Sequence, residues 1–416
     1  MKSDETVVIV GAGQAGGELA NRLRQQGSEA RIVLVGDEVH LPYQRPPLSK
    51  GFLLGKIARA DLHIRPQAAY ERLAVELKLG TRVESIDRDA REVVLSGGEH
   101  LKYERLVMAT GGRARPLFLP GIDTTRLDNV FYLRSIADVE LMHGAFVAGR
   151  HLVIIGGGYV GLEVAAAATQ LGLRVTVVEA APRVLARVTG PEVSSFLEGI
   201  HRGHGVDFRM SAEVRGFELD EARRGVRRVT IAQGGVEEGI DADLVLVGIG
   251  LIPNTELAER AGLAVNDGIV VDEHAWTSDP SILAIGDCAN QPSSYTGTRI
   301  RLESVPNALE HARVAAASLM GKQEPSTATP WFWSDQYELK LQMVGLSSGY
   351  DRCVTRGAIE RRTFSAFYLK GDRILAADII GRPADFIAAR KLVSGRIPVD
   401  APRLADESVP LAQCAV

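Results

Sequence analysis

Val7-Val8-Ile9-Val10-Gly11-Ala12-Gly13-Gln14-Ala15-Gly16 is the stretch from which the fold can be read. Four apolar β-formers run straight into G-x-G-x-x-G, and an amphipathic pattern follows from Ala15 to Gln26. A buried parallel strand, a glycine turn and a helix in that order predict a dinucleotide site. Gly11 permits the turn, Gly13 lets a pyrophosphate approach the backbone, and Gly16 lets helix and strand pack closely. The phosphates would sit on unpaired N–H groups at the helix N-terminus, where the helix dipole favours negative charge. Arg31 to Val35 reads as the second strand, and Asp37 falls 21 residues after Gly16. An acid there can accept hydrogen bonds from ribose hydroxyls.

The design recurs. His151 to Ile155 leads into Gly156-Gly157-Gly158-Tyr159-Val160-Gly161, then a helical pattern from Glu163 to Leu171 and a strand from Val175 to Val178. Glu179 ends that strand, 18 residues after Gly161. Two complete strand–glycine–helix–strand–acid units, 145 residues apart, predict two nucleotide sites in one chain. Glu179 would bond the 2′-hydroxyl of NAD and repel the 2′-phosphate of NADP. Arg183, four residues on, leaves a role toward a phosphate open.

The 416 residues are too many for one core and predict two to three domains. Hydrophobic content of 45% and charged content of 24% describe an ordinary globular chain. A net charge of −4 gives no general attraction to nucleic acid or an anionic membrane. The start carries no basic and apolar leader, and no apolar run approaches the ~18–20 residues of a membrane span. Cys288, Cys353 and Cys414 lie far apart without a CxxC, which suits a reducing compartment and excludes a cysteine-ligated cluster within the chain. A cytoplasmic location is expected.

Between and beyond the glycine motifs, Tyr43-Gln44-Arg45-Pro46-Pro47-Leu48-Ser49-Lys50 is a proline-stiffened loop that presents two cations. Thr81 to Ile86 and Glu92 to Leu95 read as short strands, with a turn at Gly97-Gly98. Leu106 to Ala109 is another buried strand, ending in Thr110-Gly111-Gly112. Glu213 to Leu219, Arg227 to Ala232 and Leu244 to Val247 follow as strands, and Pro253-Asn254 reads as a helix start. Ile282 to Ile285 is a further strand ending in Gly286-Asp287, and Glu303 to Met320 is helical. After the linker-like Gln323 to Pro330, strands are expected at Leu339 to Val344, Arg361 to Leu369 and Arg373 to Asp378. A helix at Ala384 to Leu392 and a loose tail after Asp400 complete the chain. The fold class is α/β: two Rossmann-like dinucleotide-binding domains plus a C-terminal α+β domain.

Both glycine fingerprints, Arg45-Pro46-Pro47-Leu48-Ser49-Lys50, Ala109-Thr110-Gly111, Ile285-Gly286-Asp287 and Trp331-Phe332-Trp333-Ser334-Asp335 together resemble the FAD-dependent ferredoxin reductases that serve bacterial oxygenases. These belong to the glutathione-reductase-like superfamily, and the resemblance covers nearly the full length. It implies an FAD domain from residues 1–115 and 248–329, an NAD domain from 116–247 and an interface domain from 330–416. It further implies that Gly11, Gly13, Ala15, Gly16 and Asp37 hold the ADP half of FAD. Arg45 and Lys50 would lie along the cofactor, with Val83, Thr110, Gly111, Arg134, Asp287 and Val305 as further contacts. Gly156, Gly158, Gly161 and Glu179 would hold NAD, and Gly250 would lie near the nicotinamide. Trp333 would approach the flavin, and Glu163 would stand near Lys50 at the hydride-transfer site.

The implied activity takes a hydride from NADH to FAD and passes single electrons to a [2Fe–2S] ferredoxin feeding a haem-thiolate monooxygenase or ring-hydroxylating dioxygenase. The superfamily's thiol enzymes need cysteines beside the flavin, and no cysteine precedes Cys288 here, which points to an outside acceptor. Arg313, Arg390 and Lys391 are the candidate docking cations for an acidic ferredoxin. The alternatives are an NADH-dependent rubredoxin or quinone reductase, and a flavin-containing binding protein of the apoptosis-inducing-factor type.

Overall fold

The computed structural model describes residues 1–416, which divide into two compact units. The first comprises 1–44, 59–113 and 251–328; the second comprises 45–58, 114–250 and 329–416.

In the first unit, Thr6–Val10 is the centre of a five-stranded parallel sheet. Arg105–Met108 and then Ile282–Ala284 lie to one side of it, Arg31–Val35 and Val75–Lys78 to the other. Alternation along the central strand feeds two cores. Val7 and Ile9 pack with Leu19 and Leu23 of the helix Gln14–Gln25 and with Ala312 and Ala315 of the helix Val305–Leu319. Val8 and Val10 pack on the opposite side with Val93, Leu95 and Leu101 of a small antiparallel sheet. A strand buried on both faces must be continuously apolar, which is why Val7 to Val10 reads as it does.

The second unit repeats the plan. His151–Ile155 lies between Arg174–Glu179 and Leu244–Val247 in a five-stranded parallel sheet. An antiparallel layer of Ala212–Leu219, Val226–Gln233 and Val236–Asp241 covers one face through Phe217, Val229 and Ile231. Residues 331–380 form a five-stranded antiparallel sheet in the order Trp331–Gln336, Leu339–Gly345, Arg373–Ile380, Thr363–Lys370, Arg352–Ala358. The helix Pro383–Ser394 buries Phe386, Ala389, Leu392 and Val393. No helix in the chain is long and apolar enough to cross a membrane.

Three expectations need correction. Pro253-Asn254 does not start a helix: Leu251–Pro253 is a short strand, and the helix runs over Glu256–Arg260. Asn254 donates through its backbone N–H to Gly111 O and its side-chain amide to Thr110 O, and its own carbonyl accepts from Thr110 Oγ1, so it is tied to the strand end beside it. The strands Val236–Asp241 and Arg352–Ala358 are additional to those read from the sequence; the first is almost wholly exposed and the second puts the charged Arg356 at its buried position, so neither shows an apolar alternation.

The tail is not loose. Ala401–Ala405 is a helical turn, Leu404, Leu411 and Cys414 are buried, and Val399 bridges Ala415. The cause is Arg356, 3% exposed, whose guanidinium donates to the backbone oxygens of Leu404 (3.2 Å), Asp406 (2.7 Å) and Val409 (2.8 Å). Five donors in one planar fork can hold several carbonyls of an irregular segment at once. Replacing Arg356 with Met is therefore expected to cost about 3 kcal/mol of stability. It should also open the chain after Asp400 to limited proteolysis; a tail as resistant as wild type would contradict this role.

Candidate functional site

Each nucleotide motif has the same steric plan. In the first, Gly11 takes φ +117°, and a Cβ there would overlap the carbonyl oxygen of Ala109 at the end of the adjacent strand. A Cβ on Gly16 would overlap Gly11 O. In the second, Gly156 takes φ +108°, its Cβ would overlap Gly248 O, and a Cβ on Gly161 would overlap Gly156 O. The first and last glycines are thus required by the protein's own backbone.

The middle glycines are not. A Cβ on Gly13 or Gly158 would meet no protein atom within 4 Å. Each of these residues is the N-cap of a 12-residue helix, and neither helix has a side-chain cap. A helix start with free N–H groups and a bare glycine in front of it fits a pyrophosphate seated against the backbone. FAD and NAD(H), the groups this motif pair implies, both carry one. Ala15 and Gly16 are buried in the first helix. Asp37 follows the second strand, exposed, with Arg82 3.4 Å away. Glu179 is held more firmly: Gly157 N–H donates to Oε2 at 2.6 Å and Ala181 N–H to Oε1 at 2.7 Å. Arg183, beside it in sequence, is turned to its own loop, donating to Thr189 O, Ala186 O and Ser194 Oγ.

Further cofactor candidates fall in both units. In the first, Val83 is buried at the head of Val83–Asp87, and Thr110 and Gly111 end the strand Arg105–Met108 against Asn254. Asp287 lies in the single 3-10 turn Gly286–Cys288, and Val305 opens the helix Val305–Leu319 behind the cap Ser304. Cys288 is fully buried, its thiol against Met108 O and Ile285 O, and burial pushes its pKa up. In the second, Arg45 donates to Arg134 O at 2.6 Å, and Gly250 takes φ +113° with nothing within 4 Å of where a Cβ would be.

The densest chemistry lies in the second unit. The prolines at 46 and 47 start a 3-10 turn, Pro46–Ser49, that presents Ser49 and Lys50 to the helix Tyr159–Gln170. Glu163 of that helix is 5% exposed. Its Oε2 accepts from Lys50 Nζ at 2.7 Å and Ser49 Oγ at 2.5 Å, and its Oε1 accepts from Ser334 Oγ at 2.6 Å. In the sequence Lys50 and Glu163 come together only through a resemblance, and Ser49 and Ser334 fall inside its motifs without a role of their own. Ser334 lies on Trp331–Gln336, where the even-numbered residues Phe332, Ser334 and Gln336 share one face. The ring of Phe332 meets Tyr159 at 4.9 Å. Trp333, on the other face, is half-buried beside Trp331, 5.7 Å between ring centroids. Arg390 stacks on Trp331 and Phe386 at 5.5 and 5.8 Å. Lys391 is exposed on the same helix. In the first unit, Arg313 is already paired with Glu310 (2.9 Å) and Glu324 (3.2 Å).

The pyridine nucleotide-disulphide oxidoreductase family model matches residues 5–312, and the reductase C-terminal model matches residues 331–415. The chain belongs to the first of these families, whose members are oxidoreductases that use FAD and NAD(H). Among individual relatives it is 49% identical to putidaredoxin reductase of Pseudomonas putida, over 99% of this chain and 97% of that one. It is 43% identical to rhodocoxin reductase of Rhodococcus erythropolis, over 96% and 92%. The solved covalent complex of putidaredoxin reductase with putidaredoxin contains a chain that superposes with a TM-score of 0.95 at 48% identity, covering 99% of this chain and 98% of that one.

The two kinds of glycine make separable predictions. Gly158→Ala is expected to leave the melting of the nucleotide-free protein within about 1 kcal/mol of wild type. It should weaken NADH binding by about tenfold or more if the pyrophosphate sits against this backbone, because the methyl group would intrude on it. Gly161→Ala should instead destabilise the fold by about 3 kcal/mol. Normal NADH binding by a folded Gly158→Ala protein would contradict the assignment.

Two buried histidines give a second prediction. Burial lowers His201 and His311 to about 4. Unfolded histidine takes up its proton near 6.5. The unfolded chain therefore binds more protons between pH 6.5 and about 4, and the histidines' contribution to stability is lost as pH falls through that window. Asp378, raised by burial to about 6, works the other way and loses its contribution as pH rises from 3.8 to 6. In proton NMR the ring resonances of His201 and His311 should not titrate between about pH 8 and 5. A midpoint near 6.5 for either would contradict its buried, neutral state.

Proposed function

We propose that the protein is an NADH-dependent reductase of a [2Fe–2S] ferredoxin, with FAD resident at Gly11, Gly13, Ala15, Gly16 and Asp37 and NADH visiting Gly156, Gly158, Gly161 and Glu179. Residues 1–115 and 248–329 form the FAD domain in this reading, 116–247 the NAD domain, and 330–416 the interface domain. The ferredoxin would feed a haem-thiolate monooxygenase or a ring-hydroxylating dioxygenase. The reductase's own three unpaired cysteines suit a cytoplasmic location.

The observation that carries the reading is the Lys50–Glu163 pair. Glu163 belongs to the helix whose start is the NAD phosphate seat, and Lys50 to the loop that follows the FAD fingerprint. One buried ion pair within the second unit therefore links the helix of the proposed NAD seat to the loop that follows the FAD fingerprint in sequence. FAD bound here supplies the chemistry, accepting a two-electron hydride and returning electrons one at a time. The protein orients the reactants and fixes the charges around them. Lys50 would place a positive charge beside the reacting ring, and Glu163, 2.7 Å from its Nζ, would hold that charge in position. Arg45 and Arg134 would lie along the cofactor, with Val83, Thr110, Gly111, Asp287 and Val305 as its further contacts. Gly250 would leave room for the nicotinamide, and Trp333 would border the flavin on the side from which electrons leave.

Glu179 supports NADH as the donor. Two backbone N–H groups fix its carboxylate where a 2′-phosphate would bring like charge, and Arg183 is committed to its own loop. Turnover measured as kcat/KM should favour NADH over NADPH by about a hundredfold or more. Equal use of the two nucleotides would sink this part of the reading.

For docking, Arg390 and Lys391 are better placed than Arg313, whose charge Glu310 and Glu324 already offset. Arg390→Glu should raise KM for the ferredoxin roughly tenfold at low salt, and the effect should fade as salt is added. Arg313→Glu should do less. The reading as a whole is tested by offering the yellow holoprotein and NADH a panel of [2Fe–2S] ferredoxins, rubredoxins and a soluble quinone. Fast reduction confined to one or more ferredoxins is expected. Preferential reduction of a rubredoxin or the quinone would replace it with the alternative reductase, and slow turnover with every acceptor would favour a binding protein.

A further inference from the structure

The geometry points to Ser334, Gln336 and His201 as positioning residues for the Lys50–Glu163 pair, acting as one hydrogen-bonded chain whose donors all point toward Glu163. The inference rests on the proposed role of that pair, and it adds residues that lie outside the nucleotide motifs.

The chain can be followed atom by atom. Ser334 Oγ donates to Glu163 Oε1 at 2.6 Å. Gln336 Nε2 donates to Ser334 Oγ at 3.2 Å. Gln336 Oε1 can only accept, so His201 Nε2 carries the proton shared with it at 2.9 Å. With burial keeping His201 neutral, its Nδ1 is the acceptor, and Tyr337 O–H donates to it at 3.3 Å. The ring of His204 stacks on Tyr337 at 3.8 Å and 13°, which fixes the outer end.

Ser334, Gln336 and His201 are at most 2% exposed. Water is therefore excluded from competing for these groups, and each has its bonds set by its neighbours. A free serine hydroxyl can rotate between donating and accepting. Here the Gln336 amide occupies the Ser334 oxygen as a donor, so the hydroxyl proton is directed to Glu163. The carboxylate is thereby anchored on both oxygens, Oε1 by Ser334 and Oε2 by Ser49 and Lys50. Anchoring Oε1 stops the carboxylate from rotating, and Oε2 stays directed at Lys50 Nζ. Hydrogen bonds aligned head to tail polarise one another, so the arrangement gains from its length. The strand supplies Ser334 and Gln336 at i and i+2, and the helix Pro191–Gly203 supplies His201.

The test reads the ion pair directly as well as the rate. In holoprotein labelled with ¹⁵N-lysine, the Lys50 ammonium is identified by its loss in Lys50→Arg, and its proton exchange is measured. Single-turnover reduction by NADH is followed in the same samples. Ser334→Ala and Gln336→Met are expected to speed ammonium exchange and lower the limiting reduction rate, each by about tenfold, with KM for NADH unchanged. Ser334→Thr, which keeps the hydroxyl, should restore both. Tyr337→Phe removes a single oxygen from a partly buried residue and serves if the fully buried variants fail to fold; about threefold is expected there. Wild-type exchange in any folded variant of Ser334, Gln336 or Tyr337 that lacks the donor overturns the inference. Faster exchange with a wild-type reduction rate upholds the positioning chain and instead removes the pair from hydride delivery.

Discussion

Glu163 is a carboxylate enclosed by protein, and the second unit converges on satisfying it. Taking a carboxylate out of water costs several kcal/mol unless a countercharge and hydrogen bonds replace the lost solvent. Two separate stretches supply that replacement to the helix Tyr159–Gln170 that carries Glu163: the turn at Pro46–Ser49 with Lys50, and the strand Trp331–Gln336. Residues more than a hundred positions apart are thereby held to within hydrogen-bond tolerance. A buried pair of this kind is weak evidence for stability and better evidence for a need to fix geometry. Here the geometry concerns an ammonium group on a flexible stem, which its own loop holds only through Pro46 O at 3.1 Å.

The glycine turns show a different economy. In each unit the first and last glycines are dictated by backbone against backbone, whereas a Cβ on the middle one would meet no atom of the protein. That both motifs divide in the same way is stronger than either match alone. It also separates the protein's folding requirement from the one proposed for the nucleotide, since the two fall on different residues. The acids that end the neighbouring strands then diverge. Glu179 is clamped by two backbone N–H groups, whereas Asp37 is exposed beside an exposed Arg82. Different surroundings for equivalent acids fit two nucleotides with different tenures.

Much of this was legible in the sequence because it rests on local rules. Val7 to Val10 and His151 to Ile155 are continuous apolar runs because their strands are buried on both faces, and the glycines announce the turns. What was not legible depends on contacts across long separations. Asn254 looks like a helix start until its bonds to Thr110 and Gly111 are seen. The tail after Asp400 looks loose because nothing local reveals that Arg356 will bind its carbonyls. Ser334 and Gln336 were visible as residues, and period-2 alternation puts them on one face, but a serine and a glutamine carry no signal of what that face meets. The partner assignment of Lys50 with Glu163 came by resemblance, since spacing along the chain has no bearing on it.

In the proposed function this buried pair serves hydride transfer from NADH to the flavin. Glu163→Gln tests it most directly, because it keeps the shape and removes the charge that holds Lys50. The measurement is the limiting rate at which NADH reduces the bound flavin in an anaerobic single turnover. A fall of about tenfold or more is predicted, with flavin content and NADH affinity retained. A wild-type limiting rate in that variant would contradict the account.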